Sequence, residues 1–300
     1  MMKTILECKN LLKRYGKHNA LINLDLTLQE NTIYGLFGCN GAGKTTLLNM
    51  ISGNIFPDRG VINVNEKRLN YGDSSKEICY ISEKQYYFSG VKVIDLLELA
   101  AAFHNRWDWN FANQLLKEFK LNPQQKIGQL SRGMKTILGN TIGLASRAPL
   151  TIYDEPEIGL DVLMREKFYR ILIDDYSNNP RTILLSTHLI DEVTKVIEHF
   201  FIIESGTILL KDAVENICIS SHLLTGNRTE IEKFTSDKQV IYQESYGKGM
   251  LTVIYDLLTE EDKRRAKIDN ISVERLSLQK FFAYLLERRE SSGERTENSI

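Results

Sequence analysis

Residues 38–45 match the phosphate-binding pattern G-x-x-x-x-G-K-[ST] at every required position. Glycines remove the Cβ atoms that would hold the backbone away from a phosphate, so consecutive N–H groups can donate to it. In this pattern the Lys44 ammonium bridges the β- and γ-phosphates, and the Thr45 hydroxyl is a ligand of Mg²⁺. The spacing therefore predicts a site for a nucleoside triphosphate with Mg²⁺ as its cofactor. The predicted contacts come from Gly38, Cys39, Asn40, Gly41, Ala42, Gly43, Lys44, Thr45 and Thr46.

The segments that flank this loop have the character of the strand and the helix that such a loop connects. Residues 31–37 form a β-rich apolar run, and residues 46–52 continue in a pattern typical of a helix. This order places the loop at a helix N-terminus, where free backbone N–H groups bind anions. The context favours phosphate binding over an unrelated glycine-rich turn.

Two further apolar runs end in residues that can act on a phosphate. Residues 150–153 predict a short strand that leads into Asp154 and Glu155. Asp154 is placed to hold Mg²⁺, directly or through water, and Glu155 to polarise the attacking water. Residues 183–187 predict another buried strand, which ends at His188. Taken singly, adjacent acids often form only a solvated turn, and a lone histidine is more often structural.

The segment Leu130-Ser131-Arg132-Gly133-Met134 opens a predicted helix. Ser131 is placed to cap this helix and to leave N–H groups free for an anion. On its own, a serine before a glycine at a helix start is usually no more than a cap. The order of this segment, the phosphate loop and the two strand ends is more specific than any one of them.

In this order the motifs resemble those of the ATP-binding cassette (ABC) ATPase family. The resemblance covers roughly residues 4–210 and implies an α/β P-loop NTPase fold of the ABC-cassette type. That fold has a β-rich N-terminal subdomain, a RecA-like core and a helical subdomain, here at about residues 88–147. The matching motifs are the Walker A loop at 38–45, the signature loop at 130–134, the Walker B strand ending at Asp154-Glu155, the D-loop Gly159-Leu160-Asp161 and the switch histidine His188.

The resemblance also implies roles for individual residues. It implies that Tyr15 stacks on adenine, and that Asp161 belongs to the nucleotide site. It implies that Lys44, Glu155 and His188 are catalytic, and that Thr45, Glu83 and Asp154 bind the metal. Glu83 stands where most of the family has glutamine, and Gln85 is an alternative for this contact.

The signature loop departs from the usual form of the family. Arg132 replaces a glycine and Met134 replaces a glutamine, whereas Ser131 and Gly133 are retained. The resemblance implies that Ser131 and Gly133 act on ATP held by a second cassette. Arg132 either adds a charge-assisted contact or points to solvent. The departures bear on the rate of hydrolysis more than on its existence.

The composition limits the class of protein and its partners. The chain has 300 residues, of which 42% are hydrophobic and 26% are charged, and its formal net charge is −1. This balance gives no electrostatic reason to expect nucleic acid as a partner. The absence of a C-x-x-C pair argues against zinc and disulfides and fits a reducing cytosol. No apolar stretch approaches the roughly 18–20 residues of a membrane span, so we expect a cytoplasmic protein.

The C-terminal part lies beyond the resemblance. Residues 211–287 predict a small α+β accessory domain, with strands at 240–245 and 250–255 and a helix that starts at Thr229. Residues 288–300 are polar, and we expect them to be disordered. The first domain, at residues 1–210, is the predicted ABC ATPase cassette.

The resemblance implies an ATP-hydrolysing subunit of a bacterial ABC transporter, of the export type. Such a subunit dimerises on ATP and drives a separate transmembrane permease on the inner face of the cell membrane. Its partner cassette is either a second copy or a related chain. Two alternatives remain: a regulatory ATP-binding cassette with little turnover, and a soluble ABC ATPase without a role in transport.

Overall fold

The computed structural model describes residues 3–70, 76–83 and 89–291, and the chain forms two compact units. The first unit runs to Leu189 and resumes over Lys195–Lys211, and the second takes Ile190–Thr194 and the chain from Asp212 onward. A domain boundary between residues 210 and 211 stays a prediction. Gln85, the alternative to Glu83, lies outside the described residues, as does the part of the predicted tail at 292–300.

The first unit is built on two sheets. Its strands are β1 (Thr4–Tyr15), β2 (His18–Gln29), β3 (Ile33–Phe37), β4 (Arg59–Val64), β5 (Lys67–Arg68), β6 (Ile78–Ile81), β7 (Leu150–Asp154), β8 (Thr182–Ser186), β9 (His199–Glu204) and β10 (Thr207–Ala213). Its helices are α1 (Lys44–Ile51), α2 (Val93–Phe103), α3 (Trp109–Glu118), α4 (Arg132–Ala145) and α5 (Val162–Asn178), with a 3₁₀ turn at Ile127–Gln129.

A six-stranded sheet in the order β10-β9-β3-β8-β7-β6 forms the centre of this unit. Strands β3, β7 and β8 are buried at every position and pair in parallel. Continuous apolar runs fit this place, because a parallel sheet is covered by helices on both faces. Since parallel strands end at the same edge, the residues that follow β3, β7 and β8 are brought together there.

The antiparallel sheet, in the order β2-β1-β4-β5, supports the phosphate loop from one side. In β2, Leu24, Leu26 and Leu28 are buried and alternate with exposed positions, as a strand with one solvated face requires. These leucines share a core with residues of α1, including Leu47 and Leu48. Each fully buried leucine of this kind stabilises the fold by about 1.5–3 kcal/mol.

Helix starts in the first unit use side-chain caps. Ser131 accepts a hydrogen bond from the Met134 N–H at 3.2 Å, which confirms the predicted cap of α4. Asp161 caps α5 in the same way, by accepting from the Met164 N–H at 2.9 Å. These bonds satisfy N–H groups that have no partner within the helix, and each cap is worth about 1 kcal/mol.

The second unit has its own sheet and helices. Its elements are α6 (Ile190–Val193), α7 (Val214–Ser220), β11 (Ser221–Asn227), α8 (Arg228–Phe234), β12 (Val240–Tyr246), β13 (Gly249–Tyr255), α9 (Glu260–Ile268), β14 (Ser272–Arg275) and α10 (Leu278–Ser291). The helix predicted to start at Thr229 begins at Arg228 instead, because the Asn227 side chain caps it by accepting from the Thr229 N–H at 3.0 Å.

The core of the second unit is an antiparallel sheet in the order β12-β13-β11-β14. Together with α8 and α9, its strands follow the βαββαβ path of a ferredoxin-like fold. Ile254 and Tyr255 are consecutive in β13 and so point to opposite faces. Ile254 packs with Ile231 of α8, whereas the Tyr255 ring contacts Phe281 of α10 at 5.3 Å between centroids. Helices therefore cover both faces of the sheet.

Among the described residues, every helix is too short or too polar to traverse a lipid bilayer.

Candidate functional site

A cavity of about 300 Å³ opens where the phosphate loop, β7 and the antiparallel sheet meet within the first unit. The structure brings most of the predicted site residues to this one cavity. Its lining consists of Tyr15, His18, Ala20, Cys39, Asn40, Gly41, Gly43, Lys44, Thr45, Thr46, Glu83, Asp154 and Glu155. This volume is at the lower end of the range for small-molecule sites.

His18 also lines the nucleotide cavity, although no sequence motif marks it. It pairs with Tyr15 across the turn between β1 and β2, at residues 16 and 17. The signal was present, because a two-residue hairpin turn places the residues before and after it directly opposite each other. Tyr15 is 51% exposed, so its ring has an open face toward a ligand.

The phosphate loop has the backbone conformation that its glycines permit. Gly41 and Gly43 have φ values of 83° and 111°, which side chains other than glycine rarely adopt. At Gly43 a Cβ atom would also lie 2.6 Å from the Ala20 carbonyl oxygen. The Lys44 ammonium donates to the carbonyls of Gly38 at 2.6 Å and Cys39 at 3.2 Å. The loop therefore curls around its own lysine at the start of α1.

Asp154 lies at the end of β7 and is 4% exposed. Burial raises the pKa of its carboxyl, and the charge of neighbouring Glu155 adds to this rise. Its Oδ2 accepts a hydrogen bond from the Tyr80 hydroxyl at 3.2 Å. Carboxylate and hydroxyl oxygens of Asp154, Glu83 and Thr45 share the cavity, and such hard donors suit Mg²⁺. A cation there would offset the unfavourable burial of the Asp154 charge.

Glu155 and His188 meet although they are 33 positions apart in the chain, with 2.6 Å between Oε2 and Nδ1. Strands β7 and β8 are neighbours in parallel register, so both residues emerge at the same edge. Glu155 has a φ of 54°, a left-handed value that costs a residue other than glycine about 1–3 kcal/mol. Its N–H donates to the Ser186 carbonyl at 2.8 Å, which holds the backbone in that conformation.

Ser131, Gly133 and Asp161 do not line this cavity. They belong to a second group in the same unit, formed by the start of α4 and the loop before α5. A Cβ atom on Gly133 would lie 2.3 Å from the Gly159 carbonyl oxygen, so the close approach of these segments requires glycine. Gly38, Ala42 and His188 are also absent from the lining, and His188 is connected to it through its contact with Glu155. The start of α4 and the loop before α5 thus form a group apart from the residues around the phosphate loop.

Two residues that depart from the usual form of the resembled family lie close to each other. The Arg132 guanidinium is 4.0 Å from the Glu83 carboxylate, and the two side chains are 72% and 39% exposed. Arg132 thus projects mainly into solvent and faces an acid at the edge of the cavity. Screening by water makes an exposed pair of this kind weak.

Comparisons with known proteins identify the family of this chain. Residues 21–157 match the family model described as ABC transporter. The bacitracin transport ATP-binding protein BcrA of Bacillus licheniformis is 30% identical over 253 residues, which span 82% of this chain and 80% of the relative. The chain belongs to the ABC transporter ATP-binding proteins.

Other members of the family show the same likeness. The lantibiotic transport ATP-binding protein SrtF of Streptococcus pyogenes is 29% identical over 71% of this chain and 94% of its own length. A solved structure of the ATP-binding subunit of an ABC transporter is 28% identical and superposes with a TM-score of 0.65, over 71% of this chain and 91% of that chain.

Membership in this family confirms the predicted ABC-cassette fold and makes this ATP-binding protein an ATPase. Its nucleotide is ATP, as the resemblance implied, whereas the phosphate loop alone predicted only a nucleoside triphosphate. The matched residues end at 157, so the family model covers the phosphate loop, the start of α4 and the end of β7.

Proposed function

We propose that this ATPase drives a separate membrane permease, and that two cassettes close around ATP during each cycle. The observation that carries the proposal is the division of the site residues into two groups. Lys44, Asp154 and Glu155 surround the cavity, whereas Ser131 and Gly133 lie outside it. A second cassette, related by a two-fold axis, can supply the second group to the first and complete both sites.

Exposed apolar side chains beside the second group support this interface. Val162 and Leu163 follow the α5 cap Asp161 directly and are 56% and 77% exposed. Apolar side chains at a solvated helix start lose contact with water when a partner covers them, which favours association. A second copy of the chain and a related cassette are both suitable partners.

Within one cassette, the residues around the cavity have distinct tasks. Tyr15 stacks on adenine, and the phosphate-loop N–H groups and Lys44 hold the phosphates. Glu155 accepts a proton from the attacking water and orients it, and His188 holds the Glu155 carboxylate and contacts the γ-phosphate. In phosphoryl transfer such positioning and charge stabilisation provide most of the catalysis.

Mg²⁺ is the cofactor that the oxygen donors of the cavity fit. Thr45, Asp154 and Glu83 would hold it, and it would supply positive charge to the β- and γ-phosphates.

We also infer a membrane permease as the partner, and export as the direction of transport. BcrA and SrtF carry transport of bacitracin and of a lantibiotic in their names, and this chain covers most of their length. A subunit of this kind acts from the inner face of the membrane, through a permease that contains the membrane spans. Copurification with the product of a neighbouring membrane-protein gene would test this partnership.

The variant Glu155→Gln tests both the composite site and the role of Glu155. Glutamine keeps the size of the side chain but cannot accept a proton from water. We expect phosphate release to fall at least about 100-fold, in line with the contribution of a general base. We expect the variant to accumulate as an ATP-bound dimer, whereas in the wild type this dimer is only transient. Size-exclusion chromatography with light scattering measures the dimer. Glu66→Gln, an exposed site between β4 and β5, is the matched control.

Each outcome of this experiment separates two interpretations. A Glu155→Gln variant that binds ATP but stays monomeric would show that the partner is a different cassette or the permease. Wild-type turnover by Glu155→Gln would remove Glu155 from its proposed role. Very slow turnover of the wild type, with its partners present, would favour the regulatory cassette.

A further inference from the structure

Glu157 is a buried acid beside the catalytic centre to which the proposed mechanism assigns no task. It follows Glu155 by two positions and is only 3% exposed. Its carboxylate does not line the nucleotide cavity. Acids are almost never so fully buried unless they are paired, so the groups around Glu157 show what it does.

Hydroxyl groups from two other elements hold the Glu157 carboxyl. Thr187, which directly follows β8, donates a short hydrogen bond to Oε1, and Tyr169 of α5 donates to Oε2 at 3.3 Å. Thr187 also accepts from the Leu189 N–H at 3.0 Å, and so fixes the backbone on both sides of His188. Glu157 thus connects the β7 loop to the segment that carries the switch histidine.

The carboxyl of Glu157 also faces the two functional side chains themselves. One carboxylate oxygen each of Glu155 and Glu157 and one ring nitrogen of His188 lie within 4.8 Å of one another. Among the described residues, the titratable groups that face Glu157 are Glu155 from its own loop, His188 from the loop after β8 and Tyr169 from α5.

Two carboxylates within 4.8 Å of each other, one of them fully buried, cannot both be ionised without a large cost. Burial raises the pKa of Glu157 to about 8, and the charge of Glu155 and a hydrogen bond between the two carboxyls add to the rise. At neutral pH Glu157 therefore carries a proton. A protonated carboxyl is a donor as well as an acceptor.

We propose that Glu157 is a positioning residue, which donates its proton to the Glu155 carboxylate in a hydrogen bond and holds it in line with His188 for hydrolysis. This inference rests on the proposed role of Glu155. The strained backbone of Glu155 fits the inference, because such a conformation persists only where the surroundings hold it. When Glu157 loses its proton, the hydrogen bond is replaced by repulsion and Glu155 is displaced.

The first test is the pH profile of ATP hydrolysis for the full chain and for Glu157→Gln. In the wild type we expect kcat to fall about tenfold between pH 7 and pH 9, because the protonated fraction of a group with a pKa of about 8 falls by that factor. Glutamine donates and accepts like the protonated acid but cannot ionise, so this fall should disappear. An alkaline fall that Glu157→Gln retains would overturn the proposal.

The variant Glu157→Ala distinguishes a role in positioning Glu155 from a role in binding ATP. We expect it to lower kcat about tenfold or more without changing KM for ATP, because Glu157 does not line the nucleotide cavity. Glu157→Gln should restore kcat at pH 7, which a loss of packing alone would not predict. Glu66→Gln is again the matched control and should keep the wild-type profile. A wild-type kcat in Glu157→Ala would overturn the proposal.

A second measurement needs no turnover and keeps the test independent of the role of Glu155. Because the pKa of Glu157 is raised in the folded state, the unfolded state releases this proton first as the pH increases. Glu157 therefore lowers the free energy of unfolding progressively from about pH 4.5 to about pH 8. Above pH 8 this destabilisation stays constant. The melting temperature of Glu157→Gln, minus that of the wild type, should rise over this range and then level off. A difference that stays constant with pH would overturn the proposal even if Glu155→Gln behaves as expected.

Discussion

At the residue scale, Asp154 and Glu155 are adjacent acids with different surroundings. Asp154 is buried under Tyr80, and its pKa is raised by burial. Glu155 turns away through its left-handed backbone and meets His188 instead. In the proposed mechanism Asp154 would hold Mg²⁺ and Glu155 would orient the attacking water.

A prediction at this scale concerns Cys39, which is exposed and lines the nucleotide cavity. We expect modification with N-ethylmaleimide to reduce ATP binding at least about tenfold, because the added group occupies space that the phosphates need. Binding of a fluorescent ATP analogue measures the loss, and prior addition of ATP should protect the thiol.

The matched controls use the other exposed cysteine, Cys218, since Cys8 and Cys79 are buried. Cys218→Ser should stay sensitive to the reagent, whereas Cys39→Ser should become insensitive. Unchanged nucleotide affinity after complete modification of Cys39 would contradict the prediction.

At the scale of elements, α4 connects the signature loop to the loop that follows β7. The Thr136 hydroxyl donates to the Ile158 carbonyl at 2.8 Å, and the Asn140 amide donates to the Pro156 carbonyl at 2.7 Å. Both bonds come from successive turns of one face of the helix. A movement of α4 would therefore displace the loop that carries Glu155 and Glu157.

The ion pair between Glu83 and Arg132 links the end of β6 to the start of α4. A double-mutant cycle with Glu83→Gln and Arg132→Ala should give a coupling of about 0.2–1 kcal/mol in urea unfolding, as for other exposed pairs. We expect the coupling to shrink in 1 M salt, where screening is strong. A cycle of Arg132→Ala with Glu66→Gln should show no coupling. A coupling that does not respond to salt would exclude an ion pair as its source.

At the scale of the whole molecule, the two compact units do not follow the order of the chain. Helix α6 begins two residues after His188, yet it belongs to the second unit, where it packs against α10. Ile190 and Val193 of this short helix are buried. The second unit therefore includes a segment that directly continues the switch-histidine loop.

Hydrogen exchange of the full chain can test this division. Phe281→Ala removes a fully buried ring from α10, which should cost about 3–5 kcal/mol within the second unit. We expect faster exchange in residues 190–194 together with β11 and β13, and unchanged exchange in β7 and β8.

The matched control is Phe168→Ala, which removes a fully buried ring from α5 in the first unit. It should accelerate exchange in the first unit and leave residues 190–194 at their original rate. If residues 190–194 follow β7 and β8 in both variants, α6 belongs to the first unit.

The sequence by itself determined the features that depend on short segments. Glycine spacing in residues 38–45, the acids that end β7 and the histidine that follows β8 were all visible, because each is a strand followed by a turn with special residues. The cap at Ser131 was visible for the same reason. Local chemistry of this kind depends on neighbours a few positions away, and these are fixed by the chain itself.

Only the tertiary structure decided which of these segments meet. The sheet order β3-β8-β7 places Glu155 against His188, and the approach of α4 to the D-loop explains why Gly133 must lack a side chain. The burial of Glu157 beside a second acid was not visible either, although its position next to Pro156 was. Strand order and burial depend on contacts between distant parts of the chain, and a pKa depends on charges that those contacts bring near.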